Sequence, residues 1–239
     1  MAALTTGTTS FNLNLNELVE EAYERCGAEA RTGYDFRTAR RSLNLMLAEW
    51  ANRGINMWTM DSGTIPLVAG TATYTLPLDT VDLLDSVIRT GTGSNQVDIA
   101  ISRIAESTYA TIPNKNATGR PIQVWIQRLS GASPSAGVTV NPQITVWPIP
   151  DSSTTYTYVY WRLRRLQDAG DGINGQDIPF RFLPVLVAGL AYYLSFKIPG
   201  ADQRSMGLKA VYDEAWEQAS TEDREKAPVR LVPRRNYMR

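Results

Sequence analysis

The chain changes its hydrophobic period twice. Between residues 15 and 53 apolar side chains recur every three or four positions. Between about 57 and 165 that spacing largely vanishes, and Thr, Val, Ile, Tyr, Trp, Gly and Pro dominate. From about 179 to 222 the helical spacing returns. A period of 3.6 belongs to a helix with one buried face and a period of two to a strand. The pattern therefore predicts two helices, a β-rich insertion, two more helices and a tail.

Each segment carries its own punctuation. Leu15, Leu18, Val19, Ala22, Tyr23 and Cys26 make one helical face, with Asn14 and Glu17 placed as a capping box and Gly27 as a stop. A second helix over about 35–53 presents Ala39, Leu43, Met46, Leu47 and Trp50, opens on Thr32 and Asp35, and ends at Gly54. Strands are expected at 64–68, 72–76, 84–90, 97–101, 122–129, 143–147 and 155–165, and a short helix at 102–110. Turns are expected at 91–95 and 130–134. In the last strand Tyr156, Tyr158, Tyr160 and Arg162 alternate with Thr157, Val159, Trp161 and Leu163, which reads as a strand with a charged outer face. The helix over about 179–197 is apolar on most sides and is expected at the centre. The last, over about 201–222, presents Leu208, Val211, Tyr212, Ala215, Trp216 and Ala219.

These readings combine into an α+β fold class: an antiparallel four-helix body with a β-rich insertion between helices two and three, and an extended C-terminal tail. The expected divisions are 1–56 (arm and helical hairpin), 57–166 (insertion), 167–224 (second hairpin) and 225–239 (basic tail).

Charge is unevenly spread. The chain is neutral overall, with 24 basic and 24 acidic residues. Residues 226–239 nevertheless hold Lys226, Arg230, Arg234, Arg235 and Arg239 and no acid. Neutrality argues against a bulk polyanion binder. In the tail, apolar residues lie between the arginines, as a docking strip requires: arginines pair with a partner's carboxylates while apolar side chains anchor. Arg230, Arg234 and Arg235 are the expected polar anchors, and Leu231, Val232 and Tyr237 the apolar ones. Pro228 and Pro233 favour an extended form.

Little chemistry is on offer. Histidine is absent, which removes Ser-His-Asp and Cys-His arrangements and the commonest metal ligand. The one cysteine, Cys26, falls on an apolar helical stripe and reads as a small core residue. Asp168, Asp171, Asn174 and Asp177 share a Gly-rich loop without the EF-hand spacing, so a solvated loop is expected rather than a calcium site. Asp79, Asp82 and Asp85 are local to one another, which suits turns and caps better than paired carboxylates across a cleft. No catalytic, cofactor-binding or metal-binding residue is expected. The opening MAALTTGTTSFNLN lacks a basic start and a long apolar run, so no signal peptide is expected there. No membrane span is expected either.

Several motifs occur in order along this layout. They are Ala39-Arg40-Arg41-Ser42-Leu43-Asn44 with Glu49-Trp50-Ala51-Asn52-Arg53-Gly54-Ile55; Tyr74-Thr75-Leu76-Pro77-Leu78-Asp79; Arg103-Ile104 through Tyr109, then Ile112-Pro113-Asn114-Lys115 and Gly119-Arg120-Pro121; and Ile144 through Asp151. Over about 13–222 the chain resembles the head-to-tail adaptor proteins of short-tailed phages, also called tail tubular protein A or gatekeeper. The resemblance implies a structural virion protein: a homo-oligomeric ring, typically a dodecamer, that joins the portal protein to the tail nozzle protein around the exit channel for genomic DNA. It implies manufacture in the host cytoplasm, a place in the virion neck, and no catalytic residues to carry over. Two other readings stand beside it. A nucleic-acid-binding module predicts duplex affinity with a steep salt slope. A tail-associated carboxylate hydrolase predicts turnover lost on replacing Asp79 or Asp82.

Overall fold

The computed structural model describes residues 5–54, 57–129 and 140–223. Their contacts divide the chain into two compact units, one of residues 58–166 and one of the residues on either side.

The flanking unit is helical. Helix α1 (Leu15–Cys26) starts in a complete capping box: Asn14 accepts from the Glu17 amide at 2.9 Å and the Glu17 carboxylate accepts from the Asn14 amide at 3.0 Å. Gly27, at φ 77°, closes it in the left-handed region. Helix α2 (Gly33–Asn52) begins in a second capping box, between Thr32 and Asp35. Helix α4 (Leu183–Ser195) follows a short 3-10 turn at Phe180–Phe182 and carries Pro184 in its first turn, where a missing amide costs nothing. Helix α5 (Ser205–Glu222) is the last described element.

The expected antiparallel four-helix body is not what forms. The described residues contain five α-helices and two four-stranded sheets, an α+β arrangement. In the helical unit α4 is the axis, packed against α1, α2 and α5, while α1 and α2 touch each other less than either touches α4. The cause is the composition of α4. Ten of its thirteen residues are buried, around most of its circumference, so its neighbours surround it rather than pairing into two equivalent hairpins.

The unit of residues 58–166 carries the sheets. Strands β1 (Met60–Leu67), β3 (Thr80–Thr90), β4 (Val97–Ala100) and β8 (Tyr156–Arg164) form one antiparallel sheet in the order β1-β8-β3-β4. Strands β2 (Thr73–Thr75), β5 (Ser102–Ile104), β6 (Gln123–Gln127) and β7 (Gln143–Trp147) form the other in the order β2-β7-β6-β5, antiparallel except for the β5–β6 pair. Leu83, Ile88, Tyr156, Tyr158 and Tyr160 of the first sheet share one buried core with Val124, Ile126, Ile144 and Val146 of the second. Helix α3 (Glu106–Ala110) is shorter than the predicted 102–110, because Ser102–Ile104 pairs with β6 as a strand. The expected turn at 130–134 lies outside the described residues.

The charged outer face expected for β8 is also corrected. The tyrosine face is the buried one, and Arg162, which shares it by alternation, is only 7% exposed. Trp161, on the opposite face, is exposed.

Candidate interaction surfaces

The loop over 168–177 is built for support. Its carbonyls at Asn174 and Gly172 accept the first free amides of α1, from Leu15 at 3.2 Å and Asn16 at 3.1 Å. With the Asn14 cap, three of the helix's otherwise unpaired amides are satisfied. Arg40 on α2 grips the same loop through the Gly170 carbonyl (3.3 Å) and Asp171 (3.1 Å), and Asn44 accepts from the Ala169 amide at 2.8 Å. Asp177 accepts from the Gln167 amide. Among the described residues, no group of three or more acidic or cysteine side chains is placed to hold a metal ion.

The aspartates at 79, 82 and 85 do not converge on an open site. Asp79 takes Arg162 in a two-pronged ion pair, at 2.5 and 3.3 Å, and Arg162 also reaches Asp61 at 3.1 Å and the Thr80 hydroxyl at 2.9 Å. The hydrogen bond from Arg162 holds the Asp79 carboxyl below the usual carboxylate range, although burial works the other way. A general acid needs the opposite shift. Asp82 pairs with both Arg103 and Arg128 at 2.8 Å, and Asp85 accepts from the Ser86 amide.

The adaptor-like motifs prove to be fasteners. The Tyr74 hydroxyl has one proton to donate, with the Thr71 carbonyl at 2.8 Å and the Val68 carbonyl at 3.1 Å within reach, and it accepts from the Val68 amide, clamping the β1–β2 turn. Leu76 is in the core. Lys115 donates to the Ala110 and Ile112 carbonyls at the end of α3, a favourable place for a cation, and lies 5.6 Å from the Tyr109 ring centre. The Trp147 indole donates to the Asn114 carbonyl at 3.0 Å.

The described residues of the helical unit form an open groove of about 1040 Å³ between the segment before α1, α1 itself and the start of α4. Its apolar lining comes from Phe11, Leu13, Phe180, Leu183, Pro184 and Val187. Phe11 and Phe180 are 76% and 80% exposed, and Leu183 and Val187 form the buried floor. One wall is acidic: Glu17, Glu20, Glu21 and Glu24 lie along α1. Glu17 is engaged in the cap and Glu21 pairs with Arg25 at 2.9 Å. The carboxylates of Glu20 and Glu24 have no partner among the described residues. Sequence reading missed this groove, although four glutamates on the outer face of one short helix were a visible signal.

The expected anchors Arg230, Leu231, Val232, Arg234, Arg235 and Tyr237 lie outside the described residues. No described helix is long and apolar enough to cross a membrane.

The geometry thus defines an α+β chain whose Asp79 and Asp82 serve in structural ion pairs and whose described helical residues form an open groove. The chain belongs to the SU10 adaptor protein family, whose model matches residues 13–234. This is a family of phage head–tail adaptors, so the chain is a phage adaptor and a structural virion protein. A comparison with curated proteins gives no match.

Proposed function

We propose that this adaptor forms a closed homo-oligomeric ring, a dodecamer, that joins the portal protein to the tail nozzle protein and surrounds the channel through which genomic DNA leaves the capsid. It is the gatekeeper-type reading implied by the resemblance to short-tailed phage proteins. The observation that carries it is the family match, which spans both structural units and continues to residue 234, into the basic tail. A ring of identical copies needs two different complementary surfaces on each subunit. Exposed apolar side chains are available in both units, among them Phe11, Phe180 and Met206 in one and Leu84, Val97 and Trp161 in the other.

In this reading the subunit is made in the host cytoplasm and ends in the virion neck. Residues 225–239 are the tail segment that reaches the portal, with Arg230, Arg234 and Arg235 as polar anchors and Leu231, Val232 and Tyr237 as apolar ones. The test is electron microscopy of the full chain mixed with purified portal rings, beside a chain lacking 227–239. Rings stacked on portal with the full chain and none with the deletion are expected. Normal stacking by the deletion would remove the tail from the interface, and a full chain that never forms rings would overturn the ring itself.

A further inference from the structure

We propose that, in the unassembled subunit, the groove between α1 and the start of α4 holds the basic tail of the same chain, residues 227–239, and so covers the docking strip until assembly displaces it. The occupancy of the groove stands independently of the portal reading. Only its consequence, a covered strip, rests on it.

Three observations converge on this occupant. The first is where the described chain ends. Asp223, directly after α5, is buried and pairs with Arg181 at 2.9 Å. Arg181 follows Phe180 and shortly precedes Leu183 and Pro184, all three of which line the groove. The last described residue is thus tied to a side chain that sits in sequence among groove-lining residues, and sixteen residues follow it. At about 3.3 Å per extended residue they reach on the order of 50 Å. The helix wall from Glu17 to Glu24 rises only about 10 Å.

The second is charge. Glu20 and Glu24 line the groove with carboxylates that have no partner among the described residues, and the tail supplies Arg230, Arg234, Arg235 and Arg239 with no acid after Glu225. Arginine is suited to this pairing, since its planar fork can engage a carboxylate through two hydrogen bonds.

The third is apolar content. The tail has Val229, Leu231, Val232, Tyr237 and Met238 between its basic residues, and the groove exposes two phenylalanine rings above an aliphatic floor. A tethered segment experiences an effective concentration on the order of millimolar. A contact too weak to hold a separate peptide is therefore populated within one chain, yet a portal surface that binds the strip more tightly can displace it.

The test uses the full chain with Cys26→Ala and Met238→Cys, carrying a nitroxide spin label at position 238, and reads its nuclear magnetic resonance spectrum. Loss of the amide signals of Glu20, Glu24, Phe180 and Val187, unchanged on dilution and reversed when the label is reduced, is the expected result. Adding Glu20→Gln and Glu24→Gln should restore those signals. So should about 1 M salt, where the screening length falls to about 3 Å. In a second measurement trypsin should cut the native chain at Arg230 several times more slowly than the Glu20→Gln/Glu24→Gln chain. Signals untouched by the label would overturn the proposal. So would signal loss in an equal mixture of labelled and isotope-enriched unlabelled chains, since the groove would then hold a second copy. Neither measurement contains portal, so its failure is distinct from failure of portal stacking.

Discussion

Trp50 donates its indole N–H to the Tyr212 hydroxyl at 2.8 Å, tying the last turn of α2 to the middle of α5. Both side chains are almost completely buried. The Trp216 ring lies 5.0 Å from Trp50, and the Arg53 guanidinium sits over Trp216 at 4.4 Å, so an aromatic cluster with one polar bond closes this end of the helical unit. Tyr212→Phe keeps the ring and leaves the indole N–H buried without an acceptor. An unmet buried donor costs about 1–3 kcal/mol. Urea unfolding of the variant should show a loss of that size, and an unchanged midpoint would mean that the bond contributes nothing.

Gly189 on α4 allows α2 and α5 to come close. A Cβ there would lie 2.5 Å from the Met46 sulfur and 2.8 Å from a Tyr212 ring carbon. Alanine normally gains about 1 kcal/mol over glycine inside a helix. Overpacking costs about 1–3 kcal/mol. Met46 can retreat through its flexible chain, but the Trp50 bond pins the Tyr212 ring, so the clash should win. Gly189→Ala is expected to lower the thermal midpoint, and a gain in stability would refute the packing argument.

What the sequence revealed depended on range. The capping boxes at Asn14–Glu17 and Thr32–Asp35 lie within four residues, so composition and spacing suffice to read them. The central place of α4 follows from its near-continuous apolar surface. Alternation showed that Arg162 shares a face with Tyr156, Tyr158 and Tyr160, but not that this face turns inward. Its partners Asp79 and Asp61 are 83 and 101 positions away. Ser102–Ile104 is too short to show a period, and only its pairing with β6 makes it a strand. Periodicity likewise marks a buried face without saying which helix covers it, so equivalent hairpins were expected where one helix is the axis. The groove needs three separated segments to meet, and only its glutamates were visible beforehand.

The Arg162–Asp79 pair should make the unit of residues 58–166 acid-sensitive. Asp79 has a folded pKa below its ordinary value, chiefly through the hydrogen bond from Arg162. Such a group contributes stability that is fully present above the unfolded pKa, about 3.9, and is lost as pH falls through the folded value. The thermal midpoint should therefore fall progressively below about pH 4. The side chain of Asp79 is 46% exposed, so solvent screening keeps this contribution modest. Arg162→Met should flatten this part of the acid response. Arg162→Lys should also be less stable, because an ammonium cannot fork across Asp79 while reaching Asp61. An Arg162→Met chain with the same pH profile as the parent would show that the pair is not the acid-sensitive element.

Cys26 offers a probe of how α1 separates from α4. Its thiol is 4% exposed and donates to the Ala191 carbonyl at 3.2 Å, and burial pushes its pKa up, against the pull of Arg204. Reaction of a thiol reagent needs the thiolate and access to it. In native buffer the labelling rate should be set by the population of an opened form. Tyr212→Phe should then speed labelling by about tenfold for each 1.4 kcal/mol of stability it removes, if α1 opens only with the whole helical unit. A labelling rate that ignores Tyr212→Phe, while the equilibrium midpoint falls, would instead show that α1 opens on its own. The acidic wall of the groove would then be a locally mobile element.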